Sequence, residues 1–317
     1  MAPGTGWRGK SGKKQNMEKE IIALVKERGP LTGAELLEST DRDPLLLWRL
    51  FRLSDSLTVR IVGTRYLRLD RRIEGFARLS PSFLREFLTY SVVGLSGDVS
   101  SIESKAALVL SHIEEVSRAK SDLAYHVVSA LAGRVGSDSL IRSQVCFIIA
   151  GDIVFNMAHD VPRPERSTGK MVRGSDMDIV VIVNDDFPEE LMKRLDEEIY
   201  KEKYRLLINP HLKEEIDYIV KDLARVRTQV KFDTFKHMVA CKILQEGTLL
   251  YGSNDIFHLV KALLRENGVI EKLNVMEEKA RIFRGQAEDY LIREDPEKIK
   301  AESLNLFYPT EESEEFE

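Results

Sequence analysis

The sequence predicts an α+β chain in which a small mixed sheet carries a helical cap and follows a smaller module and a helical connector. Three changes of pattern predict this order. Helical periodicity with capping signals dominates the first 140 residues, short β-prone apolar runs follow from about residue 141, and helical periodicity returns after residue 253. We therefore predict six segments, with the bounds 1–16, 17–72, 73–140, 141–253, 254–309 and 310–317.

Composition places the chain among globular proteins, because 43% of its 317 residues are apolar and 31% are charged. No apolar run approaches the ~20 residues that a membrane-spanning helix needs. Both cysteines lie in apolar runs, as thiols in a reducing compartment do, so we expect a cytoplasmic protein without membrane contact. We expect the basic segment 1–16 to be a disordered arm and the acidic segment 310–317 to be a disordered tail.

Residues 17–72 are predicted to form three helices and a hairpin. Met17–Arg28 places its apolar residues on one helical face, and Thr32 with Glu35 has the spacing of a capping box that opens the second helix. A third helix follows. Leu57–Gly63 and Arg65–Asp70 alternate apolar and polar residues around a Gly-Thr pair, which predicts that these two runs form a hairpin.

Three helices followed by a hairpin resemble a winged helix-turn-helix domain. Residues 1–72 carry 15 Lys and Arg against nine Asp and Glu, whereas the whole chain has a net charge of −5. The negative net charge argues against nucleic-acid binding over the whole surface, and the excess of positive charge in residues 1–72 indicates a basic module that could contact tRNA or DNA locally. The resemblance implies phosphate contacts from Arg49, Arg52, Arg60, Arg65 and Arg68. The alternative is a domain used for protein contacts or dimerisation.

The expected sheet follows a helical connector, residues 73–140. Val145–Ala150 is its first apolar run and ends at Gly151, Ile179–Val183 is the second, and Ile216–Val220 is the third. A charge-rich helix is predicted between the second and third runs. A further helix and a short strand end this segment before the cap at 254–309.

Two aspartates stand where the second strand begins, in the sequence GSDMD. Asp176 and Asp178 share one face of the strand because residues two apart do so. Carboxylates held that close repel one another unless a divalent cation lies between them. Asp217 is a third acid, set singly in the next apolar run. The three predict a site for Mg²⁺, with two ions expected and Mn²⁺ as an alternative.

Gly-Ser-Asp-x-Asp before one apolar strand, and a single acid in the next, resemble the nucleotidyltransferase superfamily typified by DNA polymerase beta. The resemblance covers roughly residues 141–255. It implies that Asp176 and Asp178 are metal ligands and that Asp217 is a third ligand that helps to deprotonate the attacking hydroxyl. It also implies that Gly174 and Ser175 shape the nucleotide-binding turn beneath the acids.

The sequence departs from this family where the nucleotide's phosphates would bind. The family has Gly-Ser or Gly-Gly at the end of the first strand, whereas Asp152 follows Gly151 here. An anion at that place opposes a triphosphate. We expect Gly151 to remain the strand-end glycine, with Ser167, Lys170 and Arg173 of the basic loop 163–173 supplying phosphate contacts. Ser167-Thr168 is the alternative phosphate-contacting turn.

The expected activity is transfer of a nucleoside monophosphate from an NTP, with ATP expected, to a hydroxyl of RNA, protein or a small molecule, with release of pyrophosphate. Asp152 in place of the usual serine motivates an alternative, a nucleic-acid-binding regulator whose domain senses a nucleotide and catalyses weakly. His159-Asp160 suggests a third hypothesis, a phosphohydrolase, which would require further histidines at the metal.

Overall fold

A computed structural model describes residues 11–307, with side chains described from residue 15 onward. The predicted acidic tail lies outside the described residues, as does the predicted basic arm up to residue 10. Residues 11–16 of that arm belong to a helix, which begins six residues before the predicted start.

Both helices and strands are present, so the predicted α+β class is confirmed. The helices are α1 (Ser11–Arg28), α2 (Gly33–Thr40), α3 (Pro44–Leu53), α4 (Phe83–Thr89), α5 (Val99–Val135), α6 (Asp138–Gln144), α7 (Glu189–Ile208), α8 (Leu223–Gln229), α9 (Phe235–Glu246), α10 (Asn254–Glu266), α11 (Val269–Arg293), α12 (Pro296–Lys298) and α13 (Leu304–Phe307). The strands are β1 (Leu31–Thr32), β2 (Leu57–Ile61), β3 (Tyr66–Leu69), β4 (Ala77–Ser80), β5 (Ser91–Leu95), β6 (Val145–Ala150), β7 (Pro162–Pro164), β8 (Met171–Arg173), β9 (Met177–Val183), β10 (Ile216–Asp222) and β11 (Thr248–Gly252). A 3₁₀ turn, Gly151–Phe155, follows β6.

The described chain divides into two compact units. The first comprises the residues up to 65, residues 79–112 and the residues from 281 to 307, and the second comprises residues 66–78 and 113–280. Each unit has its own apolar core. No helix of the described part is long and apolar enough to cross a membrane.

The first unit contains an antiparallel sheet in the order β1-β5-β2. Helix α2 has the predicted capping box, since the side chain of Thr32 accepts from Glu35 N–H while the Glu35 carboxylate accepts from Thr32 N–H. The core of this unit gathers apolar side chains from α1 to α4, including Trp48, whose ring meets Phe83 edge to face at 5.5 Å.

The predicted hairpin between Leu57–Gly63 and Arg65–Asp70 is wrong. Strand β2 pairs with β5 instead, with Val59 opposite Val93, and β3 pairs with β4. Alternation of apolar and polar residues fixes the two faces of a strand but leaves its partner open. The segment predicted as a helical connector therefore contains two strands, β4 and β5, besides α4, the whole of α5 and the start of α6.

The second unit is built on a four-stranded mixed sheet in the order β10-β9-β6-β11. Strands β9 and β10 are parallel, and β6 runs antiparallel to both β9 and β11. One face is covered by apolar side chains of α5, α6 and α7. The ladder places Asp178 opposite Ala150 on one side and opposite Asp217 on the other, so the end of β6 and the starts of β9 and β10 meet at one edge.

Candidate metal centre

Three carboxylates converge at this edge of the sheet. One oxygen each of Asp176, Asp178 and Asp217 lies within 4.8 Å of the other two. Asp178 and Asp217 are held by strand pairing, and Asp176 stands two residues before Asp178, so rigid backbone aims all three. Carboxylate oxygens at this spacing are the ligands that a hard divalent cation such as Mg²⁺ prefers.

The electrostatics of the centre favour a positive charge there. Burial raises the pKa of Asp176 above its usual value, and the charges of Asp217 and Asp152 raise it further. The guanidinium of Arg163 opposes this, because its Nη2 lies 3.6 Å from Asp176 Oδ2. A metal ion would stabilise the charged form of Asp176 more strongly than one arginine at that distance.

A lysine that the sequence did not indicate also reaches the centre. Lys203 of α7 donates from Nζ to Asp217 Oδ1 at 2.8 Å. Burial alone would lower the pKa of Lys203, but the hydrogen bond and charge of Asp217 raise it above the usual value. Lys203 therefore fixes the orientation of Asp217. No spacing rule could have found it, because it lies on the helix that precedes the strand.

A fourth acid, Glu215, lies directly before β10. Burial raises its pKa to about 7, with Asp176 and Asp217 adding to the rise and Arg163 opposing it. Arg163 Nη2 lies 2.9 Å from Glu215 Oε2, and Arg163 Nε donates to the carbonyl of Gly174 at 2.7 Å. Arg163 thus stabilises the turn that precedes the aspartates, in addition to lying close to the carboxylate of Asp176.

The Gly174-Ser175 turn is built tightly against the chain. Gly174 has φ of +60°, and a Cβ there would lie 1.8 Å from the carbonyl oxygen of His159. Ser175 N–H donates to the same oxygen at 2.9 Å, and Ser175 Oγ donates to Asp152 Oδ2 at 2.7 Å. Both residues therefore position the backbone from which Asp176 projects.

Gly151 ends β6 in direct contact with the acids. Its φ is +72°, and a Cβ would lie 2.1 Å from Asp178 Oδ2. Its N–H, which the family resemblance would direct at a phosphate, instead donates to Glu246 Oε1 at 3.3 Å. Lys242 Nζ donates to the same oxygen at 3.0 Å.

Asp152 is held by hydroxyl groups. Tyr66 donates to Oδ1 and Ser175 donates to Oδ2. Burial alone would raise the pKa of Asp152, but the charges of Arg68 and His159 and these two hydrogen bonds bring it below the usual value. The ring of Tyr66 stacks on Phe155, with centroids 4.1 Å apart. Asp152 is therefore a half-buried anion with both carboxylate oxygens hydrogen-bonded, and it anchors β3.

The loop predicted to hold phosphates is a short hairpin of β7 and β8. Its turn is organised around Glu165, which accepts hydrogen bonds from the N–H and hydroxyl of both Ser167 and Thr168. Burial alone would raise the pKa of Glu165, but the four hydrogen bonds lower it to about 2. The Ser167 hydroxyl is thus committed to Glu165. Lys170 and Arg173 are exposed, and Lys170 Nζ lies 5.7 Å from the ring centre of Tyr204.

Arg49, predicted to contact nucleic acid, is buried, so that prediction is wrong. Only 3% of it is exposed, and Nη1 donates to the carbonyls of Leu291 at 2.7 Å and Glu294 at 2.6 Å. It satisfies the carbonyls at the end of α11. The apolar residues around it in α3 gave no sign of this, because an arginine on a helix is normally exposed.

The other predicted arginines take part in interactions within their own unit. Arg52 pairs with Glu288, Arg60 Nε pairs with Glu103 at 2.9 Å, and Arg65 makes two hydrogen bonds to Glu86 at 2.5 and 2.7 Å. Arg68 lies on β3, and its charge lowers the pKa of both Asp152 and Asp176. Its guanidinium therefore acts on the acidic centre.

A family model described as a nucleotidyltransferase domain matches residues 166–241. The stretch contains Asp176, Asp178 and Asp217, and the predicted superfamily is confirmed for it. The match begins after Gly151 and Asp152, where the sequence departs from the family pattern. Searches of curated proteins and of solved structures each gave no match.

Proposed function

We propose that the protein is a Mg²⁺-dependent nucleotidyltransferase, which transfers a nucleoside monophosphate from an NTP, with ATP expected, to a hydroxyl and releases pyrophosphate. The convergence of Asp176, Asp178 and Asp217 inside the matched nucleotidyltransferase stretch carries this proposal. Among the described residues, the group of side chains able to hold a metal contains no histidine, which disfavours the phosphohydrolase alternative.

The chemistry of the centre fits one or two divalent ions. Its donors are three carboxylates, which suit Mg²⁺ and would also hold Mn²⁺. The glycine at position 151 keeps the space beside Asp178 Oδ2 clear, since a Cβ would fill it. When bound, Mg²⁺ would neutralise charge on the phosphates and on the attacking and leaving oxygens.

The chain's own residues then have distinct tasks. Asp217 takes up the proton of the acceptor hydroxyl, and Lys203 keeps its carboxylate in place. The hydroxyl oxygen forms a bond to the α-phosphorus of the NTP. The bond between that phosphorus and the bridging oxygen breaks, and pyrophosphate carries away the electron pair. Arg163 maintains the turn that presents Asp176.

The test is transfer of label from α-³²P-labelled NTPs, with Mg²⁺, to mixed RNA and protein acceptors. The variant is Asp176→Ala/Asp178→Ala, and the matched control is Asp186→Ala, which removes an exposed carboxylate shortly after β9. We expect labelling by the wild type and the control, and its loss in the double variant. Equal labelling by all three proteins would contradict the proposal.

One observation favours a second candidate, a regulator that senses a nucleotide without efficient turnover. The strand-end N–H of Gly151 points to Glu246, and Asp152 stands where the family has serine, so carboxylates occupy the region that grips phosphate elsewhere. Saturable NTP binding that needs Asp176 and Asp178 but releases no pyrophosphate with any acceptor would support this candidate. Pyrophosphate release that depends on the same two acids would exclude it.

The first unit is assigned as a winged helix that contacts nucleic acid. The order α1, β1, α2, α3, β2, α4 and β5 within the unit and the sheet order β1-β5-β2 support the fold, with α4 standing between the last two strands. The contact is tested with Arg52→Ala/Arg60→Ala, because both side chains are partly exposed. We expect weaker binding of tRNA or DNA and a smaller salt dependence than with the control Arg293→Ala. Identical binding by the two variants would remove this assignment.

A further inference from the structure

The three acids lie on two chain segments, residues 173–178 and residues 213–217. These segments lead into β9 and β10, and the ladder between the two strands begins at Met177. Asp176 stands before that residue, so the ladder does not include it. Its distance from Asp217 therefore depends on the contacts that join the two segments ahead of the strands.

A buried lysine joins the two segments. Lys120 of α5 donates from Nζ to the carbonyl of Arg173 at 2.7 Å and pairs with the carboxylate of Glu214. Only 4% of Lys120 is exposed, and burial raises the pKa of Glu214 although the charge of Lys120 opposes the rise. The desolvation of a buried ion pair often exceeds its attraction, so such a pair is weak evidence for a role in stability alone.

Arg163 of β7 makes a second bridge between the same segments. Its Nε donates to the carbonyl of Gly174 at 2.7 Å, and its Nη2 lies 2.9 Å from Glu215 Oε2. The two bridged carbonyls are consecutive in the chain, and so are the two bridged glutamates. Helix α5 covers the face of the sheet opposite to the acids, whereas Arg163 lies beside Asp176, so the segments are held from two sides.

Backbone hydrogen bonds leave an interval that the two bridges span. Arg173 N–H donates to the carbonyl of Lys213 at 2.8 Å, and Met177 N–H donates to the carbonyl of Glu215 at 2.9 Å. Between these bonds the chain turns through Gly174, whose φ is +60°. The first of the three acids projects from the end of this turn. The two cations therefore fix the part of the backbone that determines its position.

We propose that Lys120 is a positioning residue of the candidate metal centre. By joining the backbone at Arg173 to Glu214, it sets the separation of Asp176 and Asp217 and thereby the affinity of the three acids for a divalent cation. It acts through the backbone, in the way that contacts behind the ligands tune other metal sites. The inference deepens the proposed function and rests on it.

The first test measures the affinity of the centre with Mn²⁺ as the probe, by electron paramagnetic resonance of the free ion. We expect Lys120→Met to bind Mn²⁺ about 10-fold more weakly than the wild type, because the loss of contacts behind metal ligands commonly costs roughly 10–100-fold. Label transfer should then require about 10-fold more Mg²⁺, and excess Mg²⁺ should restore most of it. Wild-type affinity for Mn²⁺ would overturn the inference.

The matched control is Arg49→Met. Arg49 is also a buried cation that donates to backbone carbonyls, but those carbonyls lie in the first unit. The control should lower the stability of the protein and bind Mn²⁺ as the wild type does. A loss of Mn²⁺ affinity as large as that of Lys120→Met would mean that destabilisation weakens the centre, and it would overturn the inference.

A double variant separates positioning from stability. Lys120→Met/Glu214→Met replaces the ion pair with apolar side chains of similar volume, so neither buried charge is left alone. We expect it to unfold at or above the temperature of Lys120→Met and still to bind Mn²⁺ about 10-fold more weakly than the wild type. If the single variant does not fold, the double variant decides, and wild-type affinity in it would overturn the inference.

A measurement without metal keeps the inference distinct from the proposed function. Hydrogen exchange in EDTA is followed in peptides that cover residues 171–183 and 213–222. We expect faster exchange in both peptides of Lys120→Met, because the two segments open locally more often, and unchanged exchange would overturn the inference. If the wild type neither binds Mn²⁺ nor transfers label, the proposed function fails. If its Mn²⁺ binding requires Asp176 and Asp178 while both Lys120 variants match it, only the role of Lys120 is wrongly assigned.

Discussion

Two groups of carboxylates lie at the same end of the four-stranded sheet, and they differ in the groups that surround them. Asp152 and Glu246 surround the end of β6, and each accepts hydrogen bonds from neighbouring donors. Asp176, Asp178 and Asp217 stand at the starts of β9 and β10, and their oxygens lie against one another. The first group resembles buried polar residues in any core, whereas the second gathers like charges.

The pKa values express this difference. Burial would raise the pKa of both Asp152 and Asp176. Two hydroxyl donors and two cations bring that of Asp152 below its usual value, while neighbouring acids keep that of Asp176 above it. The difference teaches that proximity to a site does not define an acid's task. The neighbouring groups define it. Two hydroxyl groups donate to Asp152, whereas Asp176 lies beside two other carboxylates, so only the group that contains Asp176 is arranged to bind a cation.

The largest expected effect concerns the catalytic rate. Asp178→Asn should lower transfer by about 10³-fold or more, because it removes a ligand from the centre that stabilises charge in the transition state. Asp152→Asn should lower transfer by less than about 10-fold, since Asp152 accepts hydrogen bonds from two hydroxyl groups and is not one of the three converging carboxylates. Label transfer under saturating NTP measures both. Similar losses in the two variants would abolish the distinction between the groups.

The second expected effect tests the close contact between Gly151, at the end of β6, and the carboxylate of Asp178. Gly151→Ala places a Cβ against Asp178 and should lower transfer by about 10²-fold, because it displaces that carboxylate. Gly169→Ala is the matched control, since Gly169 also has a positive φ, of +68°, but has no atom within 4 Å of the added Cβ. It should show only a small loss of stability, measured by thermal unfolding. Equal activity of the two variants would contradict the close contact at Gly151.

The third effect is a pH dependence of stability without metal. Burial raises the pKa of Glu215 to about 7 from 4.5, so its contribution is fully present below pH 4.5 and is lost as the pH rises through 7. The loss amounts to about 3 kcal/mol at most. Glu215→Gln should therefore flatten the curve of unfolding free energy between pH 4.5 and pH 7.5, measured with urea in EDTA.

The control for that experiment is Glu278→Gln, an exposed glutamate on α11. It should keep the wild-type slope. If Glu215→Gln also keeps the wild-type slope, then Glu215 is ionised throughout this pH range. The repulsion between Glu215 and the neighbouring acids is then weaker than their positions indicate.

The smallest effect concerns the satisfied group. Tyr66→Phe removes a donor to Asp152 and should lower the free energy of unfolding by about 1–2 kcal/mol at neutral pH, because a buried charge loses a hydrogen bond. Transfer activity should change little. Tyr200→Phe is the control, since that side chain is 63% exposed. If Tyr66→Phe lowered transfer strongly while the protein remained folded, Asp152 would have to be counted among the catalytic residues.

Much of the centre followed from the sequence because short-range rules determine it. The alternation of β9 put Asp176 and Asp178 on one face, and the lone acid in the apolar run of β10 identified Asp217. The strands Val145–Ala150 and Ile216–Val220 were predicted at almost their observed bounds, since continuous apolar runs mark buried strands.

The remaining features depend on contacts between residues far apart in the chain. Strand β2 pairs with β5 and not with β3, which is nearer in the sequence. The alternation of apolar and polar residues is compatible with both pairings. The bonds from Lys203 to Asp217 and from Gly151 to Glu246 join a helix to a strand end. Nothing local distinguishes these residues from the many exposed lysines and glutamates of the chain.

The four hydrogen bonds around Glu165 have a consequence for the entropy of ligand binding. A hairpin tip held by its own carboxylate has already lost most of its backbone freedom in the unliganded protein. Any contact that Lys170 or Arg173 makes with a ligand would then require ordering of one long side chain only, and no loop would have to close. The hairpin of β7 and β8 is thus a fixed edge of the centre, and adaptation to different acceptors has to come from other parts of the molecule.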